Sequence, residues 1–278
     1  MKPWVKPNMP TLLLIGCGKM GGAMLEGWLD QGIAATDITV IEPSAELAAT
    51  LAGKYGVNAA SGVHEVAGDY APDVVVLAVK PQVMDHVLPP YQKLIAQAPV
   101  FLSIAAGRTI ASFEAILGSE AAVVRAMPNT PAAVGRGITV GCPNANVTPE
   151  QKDLCDQLLT SVGEVEWVDD EKHMDAVTAV SGSGPAYIFL LAEAMGHGGR
   201  MSGLPPELAD KLARATVAGA GELLRQSPEP AATLRENVTS PGGTTAAALE
   251  VLMGPHGMKE LLEKAIDAAT RRSKELAN

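Results

Sequence analysis

The stretch Thr11-Leu12-Leu13-Leu14-Ile15-Gly16-Cys17-Gly18-Lys19-Met20-Gly21 decides the fold. Thr11 to Ile15 is a short apolar run that reads as a buried strand. It passes into Gly-x-Gly-x-x-Gly and then into an amphipathic segment, Met20 to Gln31, that stops at Gly32. Strand, glycine turn and helix in this order read as the opening of a dinucleotide-binding unit, the alternative being an ordinary Gly-rich turn. Gly16 permits the tight turn, Gly18 lets the backbone approach a pyrophosphate, and Gly21 lets the helix pack closely on the strand. The helix N-terminus adds free N–H groups and the positive end of its dipole. Lys19 is either a phosphate contact or a solvated surface lysine.

Working outward, Ile38 to Ile41 reads as a second strand. Ser44 to Tyr55 reads as a second helix with Ser44 as its N-cap. Val74 to Val79 is a continuous apolar run of the kind expected for a parallel strand buried on both faces. Val100 to Ile104 and Ala122 to Ala126 repeat the pattern. The alternation predicts an α/β Rossmann-type doubly wound parallel sheet. The acidic residue expected ~20 positions past the glycine turn is Glu42, at the end of the second strand. It is either an acceptor for a ribose diol, which by itself favours NADH over NADPH, or a solvent-exposed strand-end glutamate.

The pattern changes near Val168. From Glu171 onward no strand is evident. The segments Glu171–Val180, Pro185–Met195, Pro206–Gln226, Pro230–Asn237, Thr244–Met253 and His256–Leu276 read as helices separated by Gly and Pro. This predicts a dinucleotide-binding domain over 1–168 and an all-α domain over 169–278. The last aromatic residue is Phe189, so the remainder must pack through Ala, Leu, Val, Met and Gly, which suits closely spaced helices. A thin helical layer of that composition is expected to pair its apolar faces with a second subunit, the alternative being that they pack only on the first domain.

Composition narrows the function classes. The 278 residues are 47% hydrophobic and 19% charged, with a net charge of −10. That argues against a general nucleic-acid binder or a polybasic membrane-surface protein. Three cysteines (Cys17, Cys142 and Cys155), with no Cys-x-x-Cys and no Cys/His cluster, support neither a disulfide framework nor a metal site. A reducing cytoplasm is the expected compartment. The first ten residues, rich in proline, make a poor signal peptide, and no apolar run approaches the ~20 residues of a membrane span. No Gly-x-Ser-x-Gly nucleophile motif is present, and the five histidines show neither metal nor triad spacing.

Further strings sit where a ligand would bind. Ala78-Val79-Lys80-Pro81 and Ser103-Ile104-Ala105-Ala106-Gly107 follow the third and fourth strands of this reading, at the carboxyl edge where open parallel sheets bind ligands. Small residues there leave room for a nicotinamide ring. Lys80 is either a substrate-orienting group or a paired or solvated lysine. Met127-Pro128-Asn129-Thr130-Pro131 is a proline-stiffened loop, either ligand-facing or a plain turn. Ser181-Gly182-Ser183-Gly184-Pro185-Ala186-Tyr187 opens a helix with Pro185 in its first turn; its small residues either line a site or, the simpler reading, make a close helix–helix contact. In Val238-Thr239-Ser240-Pro241-Gly242-Gly243-Thr244-Thr245, free N–H groups at Gly242, Gly243 and Thr244 are placed to cradle a carboxylate, with hydroxyls from Ser240, Thr244 and Thr245. The plainer alternative makes Thr244 or Thr245 a helix N-cap.

Together and in this order, these strings resemble pyrroline-5-carboxylate reductases, over nearly the whole chain. The three strings beginning at Met127, Ser181 and Val238 are the most specific part of the likeness. The resemblance implies reduction of 1-pyrroline-5-carboxylate to L-proline by NADPH or NADH, the last step of proline biosynthesis. It implies a Rossmann domain followed by a helical dimerisation domain, a homodimer with the decamer as a further assembly, and an active site completed across the dimer. By the same resemblance Thr245 meets the substrate's ring nitrogen. Ser240, Gly242, Gly243 and Thr244 hold its carboxylate, and Asn237 and Glu171 lie near it. Ile15, Gly16, Cys17, Gly18, Lys19, Met20, Ala78, Lys80 and Ala106 match cofactor contacts. Glu42-Pro43-Ser44 departs from the small or basic residues usual in relatives that prefer NADPH. A hydroxyacid dehydrogenase on the same scaffold needs an acid–base lysine on the first helix of its second domain. Lys172 precedes that helix, and the string from Ser181 to Tyr187 does not fit that plan.

Overall fold

The computed structural model describes residues 9–66 and 70–277. The reading of the first eight residues therefore lies outside the described residues. Among the described residues eight strands form one sheet: β1 Leu12–Ile15, β2 Ile38–Ile41, β3 Asn58–Ala60, β4 Val74–Leu77, β5 Val100–Ser103, β6 Ala122–Met127, β7 Gly137–Pro143 and β8 Gly163–Trp167. Their order is β3-β2-β1-β4-β5-β6-β7-β8. The first six in this order run parallel. β7 turns back antiparallel on β6, and β8 lies parallel to β7.

The helices are α1 Lys19–Asp30, α2 Ala45–Tyr55, α3 Met84–Val87, α4 Ile110–Leu117, α5 Pro149–Thr160, α6 Met174–Val177, α7 Gly184–Met201, α8 Pro206–Gln226, α9 Ala231–Asn237, α10 Thr244–Leu252 and α11 Met258–Ala277. Among the described residues none is long and apolar enough to cross a membrane. Two compact units divide the chain. One comprises the chain up to Gly182 together with the stretch from Thr270. The other is Ser183–Ala269. The sheet ends at Trp167, next to the boundary read at 168, while the first unit continues to Gly182.

The first unit is built on strand alternation. Leu12, Leu14, Val74, Val76, Val100 and Leu102 face one side, against Met24, Leu25 and Trp28 of α1 and Cys155, Leu158 and Leu159 of α5. Leu13, Ile15, Val75, Leu77 and Phe101 face the other, against Met84, Tyr91, Leu94, Phe113 and Leu117. Both faces are covered, which is why these strands are uninterrupted apolar runs. The buried indole of Trp28 donates Nε1–H to the Leu158 carbonyl at 3.0 Å, tying α1 to α5. Ser44 does cap α2, accepting from Leu47 N at 3.4 Å. α5 opens on a reciprocal capping box between Thr148 and Gln151, with Pro149 in the first turn.

In the second unit α7 lies against α8 through small residues. A Cβ on Gly199 would come within 3.2 Å of the Ala209 Cβ, and one on Gly196 within 2.5 Å of an Asp210 carboxylate oxygen. The helix read as ending at Met195 therefore continues to Met201, because its glycines are where α8 approaches. The sequence from Ser181 to Tyr187 divides. Thr178 to Gly182 forms a π-turn. Gly182 closely contacts the Met127 side chain at the end of β6, so this close contact is helix against strand end.

Candidate active site

Four neighbouring strands end in register. Ile15 pairs with Ile41 on one side and with Leu77 on the other, and Leu77 pairs with Ser103. The residues that follow them, Gly16 to Lys19, Glu42, Ala78 to Lys80 and Ala105 to Gly107, therefore share one edge of the sheet. Backbone bonds fix the corner: Gly16 N donates to Ile41 O at 3.0 Å, Ala78 N to Ile15 O at 2.9 Å and Glu42 N to Ala60 O at 2.9 Å. Chain order reverses between β1 and β4, and such a switch point opens a crevice at the carboxyl ends of the strands.

The glycine turn fits a dinucleotide by three separate features. Gly16 has φ +85°, a left-handed conformation that a side chain rarely tolerates, and its Cβ would meet Val79 Cγ1 at 2.7 Å. Gly21 lies so close to the strand end that a Cβ would stand 2.6 Å from Gly16 O. Nothing comes within 4 Å of a Cβ built on Gly18, so the backbone there is open on the side where a pyrophosphate would lie. Gly18 is also the N-cap of α1 and has no side chain to take the first-turn amides, which stay available to an anion. Cys17, inside this turn, is buried. Burial, with Glu42 and Glu26 nearby, pushes its thiol up to about 11, so it stays protonated near neutral pH. Lys80 is exposed at the start of the short helical turn Pro81–Val83, and Ala106 is exposed on the turn after β5.

Glu171, also assigned to the substrate, belongs to the first unit. Its Oε1 accepts from Arg125 Nη1 at 2.7 Å and from the Ile110 amide at 2.9 Å, at the N-terminus of α4. Arg125 is only 4% exposed. It was not singled out in the sequence. A lone arginine inside the apolar run from Ala122 to Ala126 was the available signal, because a buried charge requires a partner. The loop after β6 is organised by Asn129. Its Nδ2 donates to Ser181 O at 3.1 Å and its Oδ1 accepts from Ile138 N at 3.0 Å, so both ends of its amide are engaged. Arg108 forks onto Asp85 and leaves its buried Nε without an acceptor among the described residues.

The remaining predicted residues gather at one turn of the second unit. Asn237 ends α9. Ser240 and Gly242 are exposed in the turn that follows, and Thr244 and Thr245 are the first two residues of α10. Gly242 has φ +67°, which reserves the position for glycine. The N-cap is Gly243, so neither threonine caps the helix with its hydroxyl. One expectation is corrected here. The Gly243 amide is not free, because it donates to Ser240 O at 3.0 Å and closes the turn. The amides of Gly242 and Thr244 remain for an anion, together with the unpaired first turn of α10.

A mostly parallel sheet with this glycine turn at its switch point has the architecture of the nicotinamide-dinucleotide oxidoreductases. The description "NADP oxidoreductase coenzyme F420-dependent" matches residues 11–107, and "Pyrroline-5-carboxylate reductase dimerisation" matches residues 171–276. A pyrroline-5-carboxylate reductase of Pseudomonas aeruginosa is 42% identical over 97% of this chain and 98% of its own. The structure of a pyrroline-5-carboxylate reductase from Coxiella burnetii superposes with a TM-score of 0.92 at 36% identity, covering 98% of this chain and all of the other. A Plasmodium falciparum pyrroline carboxylate reductase with NADP bound has a TM-score of 0.81 at 32% identity, covering 97% and 98% of the two chains. The chain belongs to the pyrroline-5-carboxylate reductase family.

Proposed function

We propose that the turn from Ser240 to Thr245 binds 1-pyrroline-5-carboxylate and that the glycine turn from Gly16 to Gly21 binds the dinucleotide. The chain is an NAD(P)H-dependent oxidoreductase that reduces the imine to proline, and it works as an oligomer. The observation that carries the substrate assignment is the opening of α10. It presents backbone N–H groups with no side-chain cap behind a left-handed glycine, and two hydroxyls stand on its first turn.

The reduced nicotinamide supplies hydride when bound, and positioning the imine carbon for it is the protein's main task. Amides of Gly242 and Thr244, with the positive end of α10, hold the substrate carboxylate and fix which ring face is presented. Ser240 and Asn237 border the same turn. The imine nitrogen takes its proton from solvent before transfer, so little acid–base machinery is required. The Thr245 hydroxyl hydrogen-bonds the nitrogen as it becomes a secondary amine. In the first unit Lys80 and Ala106 border the crevice, and Glu171 acts from its bonds to Arg125 and Ile110. Assembly into a decamer and a place in the cytoplasm, away from membranes and nucleic acids, complete the reading.

Thr245→Ala tests it. One oriented hydrogen bond to a charged group contributes about 1.5–3 kcal/mol, so kcat/KM for the imine should fall by tens to hundreds of fold. Unchanged turnover followed at 340 nm would remove Thr245 from the mechanism.

A further inference from the structure

Glu42 occupies the place where the two dinucleotides differ. The adenosine ribose of a dinucleotide bound at a glycine turn reaches the end of the second strand, and NADP differs from NAD only by a phosphate on the ribose 2′ oxygen. Glu42 is the first residue after β2, and its backbone is pinned to β3 through Ala60 O at 2.9 Å. The carboxylate is held as well. Its Oε1 accepts the Ser44 amide at 3.1 Å, while Ser44 Oγ takes Leu47 N at 3.4 Å. At the N-terminus of α2 a carboxylate thus takes the N-cap amide and a hydroxyl takes the third amide of the first turn.

Among the described residues, no cation is paired with Glu42. Residues 42–46 read Glu-Pro-Ser-Ala-Glu, with two carboxylates and no basic residue. The next basic residue along the chain, Lys54, lies at the far end of α2 and pairs with Glu26. On the loop after β3, His64 faces Glu65 at 3.8 Å, and Glu65 accepts from the Ser61 amide at 2.7 Å. The negative field at this corner reaches the glycine turn itself. After burial, Glu42 is the next largest influence holding the Cys17 thiol protonated.

We propose that Glu42 makes this reductase prefer NADH, its carboxylate accepting hydrogen bonds from the ribose diol and repelling a 2′-phosphate. The inference rests on the reading that the glycine turn binds the dinucleotide. It adds a specificity-determining residue to that site. A diol donates to the carboxylate without a change of charge, whereas a phosphate brings further negative charge against it at short range, and charge repulsion at such a contact is a strong discriminator.

The test compares kcat/KM for NADH and NADPH at saturating pyrroline-5-carboxylate. The wild-type chain should favour NADH by about tenfold or more, given the ribose-binding role of an acid at this position. Glu42→Gln keeps an acceptor for the Ser44 amide and removes only the charge. It should shrink that ratio by about tenfold, mostly through a lower KM for NADPH. Calorimetry with ADP-ribose and 2′-phospho-ADP-ribose reads the same preference without turnover, and the unphosphorylated ligand should bind more tightly. A wild-type preference for NADPH, equal binding of the two ligands, or a Glu42→Gln ratio within about twofold of wild type would each overturn the proposal. Preferential turnover with NADPH would leave the reaction standing. Failure to oxidise either nucleotide with the imine would overturn the reaction, and the calorimetry would still decide the role of Glu42.

Discussion

In the first unit Leu12 to Leu14, Val74 to Leu77 and Val100 to Leu102 lie fully buried between two layers of helices. In the second, the buried residues among those described are Gly196, Ala209 and Ala213, while Phe189, Met201 and Val251 stand 68%, 76% and 76% exposed. Both units carry many large apolar side chains. The difference is that the sheet brings its own cover, whereas helices α7, α8, α10 and α11 present apolar faces that this chain leaves open to water. Exposed apolar surface on that scale marks an interaction site. The family's dimerisation region spans this unit, so a second copy of the chain is its expected cover.

The contrast can be broken by placing a charge on the open side. Phe189→Asp adds a charge to a face that has no core in the single chain. A charge buried unpaired at an interface costs about 3–5 kcal/mol, so association should weaken by more than about hundredfold, and activity should fall with it. Sedimentation should find single chains that retain helical circular dichroism. A dimer with normal turnover would show that the face bearing Phe189 is not the cover.

A smaller effect sharpens the other half of the comparison. Arg125→Met leaves Glu171 facing an apolar side chain where it had a guanidinium at 2.7 Å. Because Glu171 is 28% exposed and partly solvated, the cost should be about 2–3 kcal/mol, below that of a fully buried pair. Chemical denaturation should show an earlier midpoint, while the oligomer persists at native conditions. An unchanged midpoint would mean that the first unit owes nothing to this pair.

What was legible in the sequence follows the same division. The parallel core strands could be read because burial on both faces makes them continuous Val, Leu and Ile runs. The glycine turn could be read because its flanking strand and helix were equally plain. β7 escaped because Gly137-Ile-Thr-Val-Gly-Cys-Pro mixes apolar residues with two glycines and a proline. β8 escaped because Gly163-Glu-Val-Glu-Trp alternates charge with apolar residues, the pattern of a half-exposed strand at the sheet edge. The capping box at Thr148 was present in the sequence and marks α5, yet the low apolar content of that helix hid it.

At the site, motif order located both turns but not their hydrogen bonds. Nothing in Pro241-Gly242-Gly243 indicates that the Gly243 amide is used to close the turn on Ser240. The pairing of Arg125 with Glu171 spans 46 positions, and neither local propensity nor periodicity reports a contact of that length.

The most direct measurement is a crystal structure of the full chain soaked with proline. The account predicts the carboxylate within about 3 Å of the Gly242 and Thr244 amides, with the ring nitrogen beside the Thr245 hydroxyl. Proline bound with its carboxylate away from the turn that begins at Pro241 would contradict it.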